Sequence, residues 1–166
     1  NNPTGAVVDA GYLGEVVQFA KQYDVAVMHD ASYTEVAFDG YRPISFLEIP
    51  GAFDVGMEFH SLSKSYNMTG WRVGTAAGNS DMIDALMVVK SNLDSGISNA
   101  IQYMGIEALK SPDEDIQERN LIYQRRRDKV IEALSKMGLE ADPPHASLYV
   151  WARIPSGYTS AEFAEI

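Results

Sequence analysis

The sequence contains no cysteine. Disulfides and thiolate metal sites are therefore excluded, and the composition fits a reducing cytoplasm. Basic residues are also scarce, because 13 Lys and Arg stand against 23 Asp and Glu and leave a formal charge of -10. This balance argues against general binding to nucleic acid or to an anionic membrane. Any anion site must depend on a few local cations.

Long apolar runs are missing as well. No stretch approaches the roughly 18 residues of a membrane-spanning helix. A length of 166 residues with 46% hydrophobic content is ordinary for a folded globular protein, so disorder is not expected. The chain opens on Asn1 without an initiator methionine and closes just after a helix-start signal at Thr159 and Ser160. These ends predict a piece of a longer protein.

Helix and strand patterns alternate along the chain, as they do around open α/β sheets. Apolar residues recur at helical spacing after Asp9, the predicted N-cap of a helix that runs to about Tyr23. Strands are predicted at residues 25–28, 55–59 and 70–78. Further helices are predicted from Ser80 and across residues 101–108.

The clearest boundary signal lies at residues 111–114. Ser111 is the predicted cap, Pro112 the first helical residue, and two acids follow in the first turn. The helix could run to Met137 before Gly138 ends it, a length that suits a bridge between two domains. We therefore predict domains at residues 1–111 and 112–166. The second should hold a strand at 148–152 and a helix that opens at Thr159.

The run from His60 to Gly74 has the composition of a phosphate site beside a reactive amine. Ser61 and Ser63 precede Lys64, and Arg72 follows it by eight residues. Serine hydroxyls and a guanidinium fork suit a phosphate dianion. A lysine at the end of a buried strand is a candidate for covalent catalysis.

Three residues earlier in the chain could complete such a site around an aromatic ring. Asp30 stands at the carboxyl end of a predicted strand, where open α/β sheets place ligand groups. A carboxylate that faces a pyridine nitrogen keeps it protonated, and the protonated ring stabilises a carbanion. Tyr33 and Asn2 could donate to a phenolate oxygen on the same ring.

These motifs occur together and in a familiar order: N-P-T-G at residues 2–5, Asp30 with Tyr33, and S-L-S-K at residues 61–64 with Arg72. The combination resembles the fold-type I aminotransferases of the aspartate aminotransferase superfamily. The resemblance implies an α/β fold: the second half of the large domain, with a mostly parallel sheet flanked by helices. A long helix should join it to the start of an α+β small domain.

The resemblance also implies a function and a cofactor. The full-length enzyme should use pyridoxal 5′-phosphate to move an amino group between an amino acid and a 2-oxo acid, as a cytoplasmic homodimer. Lys64 is implied as the lysine that forms a Schiff base with the cofactor, and Asp30 as the contact of the pyridinium. The other implied contacts are Tyr33 and Asn2 on the ring oxygen, and Ser61, Ser63 and Arg72 on the phosphate. No metal, nucleic acid or membrane partner is expected.

Several runs look most like the LL-diaminopimelate aminotransferase branch, namely residues 39–41, 67–72, 89–96 and 148–151. Aspartate or aromatic aminotransferases and carbon–sulfur lyases share the scaffold and stay open as alternatives. The family's ring-stacking aromatic and its arginine for the substrate carboxylate cannot be assigned in this chain. We therefore expect the chain by itself to be weakly active or inactive.

Other functions compete with this interpretation. Residues 61–64 also fit S-x-x-K, the acylating motif of serine β-lactamases and penicillin-binding proteins. That motif should open a helix and needs a K-T-G, which is absent, whereas Asn67 and Gly70 predict a turn. A binding module that has lost its chemistry would not need Asp30, Lys64 and Arg72 together. His29 and His60 are more readily explained as packed or solvent-bonded side chains than as metal ligands.

Overall fold

A computed structural model describes all 166 residues. Its helices and strands are, in order, α1 (Ala10–Tyr23), β1 (Val27–Asp30), α2 (Ala52–Val55), β2 (Gly56–Ser61), α3 (Leu62–Ser65), β3 (Gly74–Gly78), α4 (Ser80–Leu93), α5 (Asn99–Leu109), α6 (Asp113–Lys136), β4 (Glu140–Ala141), β5 (Ala152–Arg153) and α7 (Ser160–Ala164). Two short 3-10 helices occupy Phe46–Glu48 and Thr69–Trp71. No helix combines the length and the apolar composition that crossing a bilayer requires.

The main sheet has three strands in the order β1-β2-β3. β1 and β2 are parallel, with His29 opposite Glu58. β2 and β3 are antiparallel, with Ser61 opposite Gly74. The α/β prediction is confirmed, although only one of the two strand pairs is parallel.

Helix α1 packs beside the sheet as its apolar spacing predicts. The Asp9 side chain accepts from the backbone N–H of Tyr12 at 2.8 Å, so Asp9 is the N-cap. The helix buries Leu13, Val17 and Ala20. Leu13 and Val17 belong to a core cluster that includes Phe46, which is fully buried. Burial of each such side chain stabilises the fold by about 2 kcal/mol.

The strand at residues 70–78 was predicted too long. Thr69–Trp71 forms a 3-10 turn and Arg72 takes a left-handed conformation with φ 53°, so that pairing starts only at Gly74. A Cβ on Gly74 would lie 2.5 Å from the carbonyl oxygen of His60. Glycine at this position therefore permits the close approach of β3 to β2.

The long helix α6 starts one residue later than expected, at Asp113, and Ser111 does not cap it. The expected end is confirmed, because Gly138 follows with φ 74°.

Arg127 of this helix is buried and donates to both carboxylate oxygens of Asp39, at 2.5 and 3.0 Å. It also donates to the carbonyl of Pro144 at 2.9 Å. One side chain thus fastens α6 to segments before and after it, and the domain division at residue 112 stays a prediction.

The strand predicted at residues 148–152 is wrong for most of its length. Only Ala152 and Arg153 pair, with the two residues of β4. Ser147, just before, has φ 82°, which turns the backbone out of an extended path. Its N–H donates to the carbonyl of Val36 at 2.8 Å. Residues 145–147 are therefore attached to residues 36–38 instead of extending a strand.

Candidate active site

Four of the predicted site residues line a single cavity of about 670 Å³. They are Asn2, Asp30, Tyr33 and Lys64. Asp30 is the last residue of β1, and Lys64 lies in the helix that follows β2. Because β1 and β2 are parallel, their carboxyl ends meet at one edge of the sheet. The strand order therefore explains why these side chains converge.

Lys64 is held by a single turn of helix. Ser61 caps that turn, because its hydroxyl accepts from the Ser63 N–H at 3.3 Å, and Leu62 anchors it in the core. The Lys64 ammonium lies 5.2 Å from the centre of the Tyr33 ring, within the range of a cation–π contact. The short helix thus holds the amine beside the tyrosine.

The carboxylate of Asp30 is fixed by the turn that follows it. Its Oδ1 accepts from the Ser32 hydroxyl at 2.5 Å and from the Ser32 N–H at 3.1 Å. The hydrogen bond from the Ser32 hydroxyl lowers the pKa of Asp30, against a smaller opposing effect of burial, and the Lys64 charge lowers it further. Asp30 therefore carries a negative charge at neutral pH.

Tyr33 belongs to a chain of polar side chains. Its hydroxyl lies 3.0 Å from the hydroxyl of Tyr149, to which the Asn2 amide donates at 3.4 Å. Burial, followed by the hydrogen bond with Tyr149 and the nearby charge of Asp30, raises the pKa of Tyr33 to about 12. Tyr33 therefore keeps its proton at neutral pH and can donate a hydrogen bond.

The three residues predicted to bind a phosphate do not line this cavity. Ser61 uses its hydroxyl as the helix cap, and Ser63 is buried. Arg72 is exposed and donates to the carbonyl of Thr69 at 3.3 Å. Their role as phosphate ligands stays a prediction.

The structure removes one of the two arguments against the S-x-x-K alternative. Residues 61–64 do open a helix, since Ser61 caps the turn that carries Lys64. The absence of K-T-G still counts against that motif. No hydrogen bond joins Ser61 to Lys64, so the serine is not paired with the lysine as an acylating pair requires.

A charged cluster behind the site escaped the sequence patterns. Glu58 is fully buried in β2, and its two oxygens contact His29 Nδ1 at 2.7 Å and His60 Nε2 at 2.6 Å. It also accepts from the Ser45 hydroxyl and from the Phe46 N–H. Burial raises the pKa of Glu58, but these hydrogen bonds together hold it well below its usual range. Both histidines thus have a carboxylate partner. The pairing of His29 with Glu58 follows from the strand register, in which the two residues lie opposite each other.

The Glu58→Gln substitution should destabilise the full-length protein most strongly between about pH 4.5 and pH 6.5. The hydrogen bond that His60 donates to the Glu58 carboxylate raises the pKa of His60 above its ordinary 6.5, so the stabilisation is complete below this value and is lost as pH rises through the folded pKa. The lowered pKa of Glu58 gives stabilisation that is complete above its ordinary 4.5 and is lost as pH falls. We expect the free energy of unfolding to fall by about 2 kcal/mol at pH 5.5. This is less than the loss for breaking a fully buried ion pair, because both imidazoles are partly exposed.

Urea unfolding at pH 5.5 and pH 9 would measure this difference. Glu107→Gln is the control, because Glu107 forms an exposed pair with Lys110 and should change stability by less than about 0.5 kcal/mol. A penalty for Glu58→Gln that is equal at both pH values would show that the charge of His60 does not contribute.

No sequence pattern indicates two further residues at the site, Tyr149 and Ser147. Tyr149 touches Tyr33 across a separation of 116 residues. Ser147 lines the cavity, is 2% exposed, and has a hydroxyl without a hydrogen-bond partner. Both lie in or beside the segment that was assigned to a strand, where an aromatic residue indicates packing rather than a polar contact. No sequence signal links them to residues near the start of the chain.

Curated relatives resemble this chain over nearly its whole length. It is 60% identical over 164 residues to an LL-diaminopimelate aminotransferase of Dehalococcoides mccartyi, which covers 99% of this chain and 42% of that protein. It is 54% identical over 166 residues to an LL-diaminopimelate aminotransferase of Moorella thermoacetica, covering 100% of this chain and 43% of that protein. The chain thus spans about two fifths of the length of these relatives.

Solved structures share the fold. A substrate-bound BacF structure from Bacillus subtilis matches with a TM-score of 0.93 at 35% identity, covering 99% of this chain and 42% of that one. A probable N-succinyldiaminopimelate aminotransferase from Thermus thermophilus matches with a TM-score of 0.91 at 39% identity, covering 98% and 44%. The family model described as aminotransferase class I and II matches residues 1–165. The chain therefore belongs to the class I and II aminotransferase family.

Proposed function

We propose that the full-length protein is a pyridoxal-phosphate-dependent aminotransferase. It would transfer an amino group between an amino acid and a 2-oxo acid. The observation that carries this proposal is the convergence of Asn2, Asp30, Tyr33 and Lys64 on one cavity at the carboxyl edge of the sheet. Family membership supports the same reaction class.

The residues in the cavity fit the ring part of this cofactor. Asp30 supplies a negative charge suited to a protonated pyridine nitrogen, and its lowered pKa keeps that charge at neutral pH. Tyr33 and Asn2 supply donors for a ring oxygen, and both contact one oxygen atom already, that of Tyr149. Lys64 supplies the amine. Ser61, Ser63 and Arg72 are proposed for the phosphate from the family motif alone.

Pyridoxal phosphate, when bound, supplies an aldehyde that carries the amino group and a ring that accepts electrons from the substrate. Lys64 would hold the cofactor covalently and, once freed, would take the proton from the substrate Cα on its Nζ and deliver it to the cofactor carbon that receives the amino group. Asp30 would keep the ring nitrogen protonated. Tyr33 would stabilise negative charge on the ring oxygen by donating its hydrogen.

For the substrate we propose LL-diaminopimelate as the amino donor. Relatives of that name at 60% and 54% identity support it. Aromatic amino acids are the second candidate, because the fold also matches an aromatic aminotransferase from Pyrococcus horikoshii with a TM-score of 0.91 at 32% identity. Amino-donor profiling of the full-length protein separates the two. The homodimer and the cytoplasmic location stay predictions.

The direct test is reduction of the full-length protein with borohydride in the presence of pyridoxal phosphate, followed by peptide mass spectrometry. We expect a phosphopyridoxyl group on Lys64 and on no other lysine of this chain. Lys64→Arg is the control, because arginine keeps the charge but cannot form the adduct. An unmodified Lys64 would overturn the proposal. A fluorescent penicillin label on Ser61 would instead support the serine acylase.

A further inference from the structure

Tyr149 lies where the two proposed ring-oxygen donors meet. Its hydroxyl is 3.0 Å from that of Tyr33 and accepts from the Asn2 amide at 3.4 Å. The rings of Tyr33 and Tyr149 also meet edge to face, with centres 5.6 Å apart and planes at 71°. Such a pair adds orientation to the hydrogen bond. Tyr149 lies in one of the runs that resemble the family, residues 148–151, but the resemblance implies no function for its side chain.

We propose that Tyr149 is a positioning residue for Tyr33: its hydroxyl accepts from Asn2 and donates to Tyr33, which leaves the Tyr33 hydrogen free for a ligand in the cavity. The proposal rests on the proposed function, in which Tyr33 donates to the ring oxygen of the cofactor. It adds a residue that does not itself line the cavity and that acts on the site only through two residues that do, Tyr33 and Asn2.

The count of hydrogens supports this direction. The Asn2 amide nitrogen can only donate, so the Tyr149 oxygen must accept from it. Each phenol has one hydrogen. If Tyr149 donates to Tyr33, the Tyr33 hydrogen can point to an acceptor in the cavity, and all three groups are then satisfied. If Tyr33 donated to Tyr149 instead, an acceptor in the cavity would receive no hydrogen from Tyr33. Chains of this kind also polarise the last donor.

The backbone around Tyr149 is attached firmly enough to hold this arrangement. Ser147 N–H donates to Val36 and Phe38 N–H donates to His145, both at 2.8 Å. Arg127 donates to the Pro144 carbonyl at 2.9 Å. The segment that carries Tyr149 is thereby fastened to residues just after Tyr33. The raised pKa of Tyr33 agrees with a hydroxyl that stays protonated as a donor.

The test uses the full-length protein with Tyr149→Phe, Tyr33→Phe and the double substitution. Tyr149→Phe removes one oxygen and should raise the dissociation constant for pyridoxal phosphate about three- to tenfold, which corresponds to the loss of one neutral hydrogen bond. In the Tyr33→Phe background the same change should cost less than about twofold, because Tyr149 acts through Tyr33. Tyr158→Phe is the matched control, since Tyr158 is exposed and its ring lies at 62° to that of Phe163, away from Tyr33 in the chain.

A second measurement does not depend on the cofactor. In the cofactor-free protein labelled with [13Cζ]tyrosine, the Tyr33 signal should shift in Tyr149→Phe and stay in place in Tyr158→Phe. The proposal is overturned if the Tyr33 signal does not shift, or if Tyr149→Phe weakens cofactor binding equally with and without the Tyr33 hydroxyl. A wild-type protein that does not bind pyridoxal phosphate would count against the proposed function, and the Tyr33 signal would still decide whether the contact exists.

Discussion

Replacing Lys64 by alanine in the full-length protein is expected to lower kcat/KM for transamination at least about 10⁴-fold, because the change removes both the covalent attachment of the cofactor and the base that moves the Cα proton. Lys64 is the only lysine that lines the cavity. Lys64→Arg should be as inactive as Lys64→Ala. Arginine keeps a positive charge near Tyr33 but does not lose its proton.

Steady-state kinetics with the preferred amino donor measure this loss. Lys110→Ala is the matched control, because Lys110 is exposed and forms a surface ion pair with Glu107 at the end of α5. Its kcat/KM should stay within about twofold of wild type. If Lys64→Arg retained a tenth of the wild-type activity, charge rather than the amine would be the essential property, and the proposed role of Lys64 would be wrong.

The second large effect is expected for Asp30→Asn, with a fall in kcat/KM of about 10³-fold, similar to the loss of one group that is matched to charge in the transition state. Asparagine has the same shape, and its carbonyl can still accept from the Ser32 N–H and hydroxyl that hold Asp30. Only the negative charge is lost. A ring nitrogen without that charge stays protonated less readily, and the ring then accepts electrons poorly.

Kinetics at neutral pH, with the absorption spectrum of the bound cofactor as a second readout, measure the effect. Asp24→Asn is the control, because Asp24 is the left-handed C-cap of α1 and asparagine tolerates that conformation. Asp30→Glu should recover part of the activity, since it restores the charge at a shifted position. Equal activity of Asp30→Asn and wild type would remove Asp30 from the proposed mechanism.

The sequence predicted the start of a helix correctly where the side chain of one residue caps it. Asp9 caps α1 and Thr159 caps α7, as their side chains predict, because a cap depends only on backbone groups two or three residues away. The strand at residues 148–152 failed for the opposite reason. Its apolar residues suit a strand, but Ser147 turns left-handed where residues 145–147 attach to residues 36–38. Such attachments override propensity.

The candidate site divides in the same way. The pattern of a carboxylate, a tyrosine and a lysine behind strand ends predicted Asp30, Tyr33 and Lys64, and these three residues line one cavity because parallel strands bring their carboxyl ends together. The partners of those residues were not accessible from any pattern. The contact of Tyr149 with Tyr33 depends on the path of the chain after α6, which brings residue 149 back beside residue 33.

The sequence by itself therefore determined the family resemblance, the chemical groups of the site and most helix limits, since these depend on residue type and on short spacings. Only the tertiary structure decided that β3 runs antiparallel, that Glu58 pairs with both histidines, and that Tyr149 reaches Asn2 and Tyr33. These features join residues from different elements. Their geometry follows from how the elements pack, which no local pattern of residues specifies.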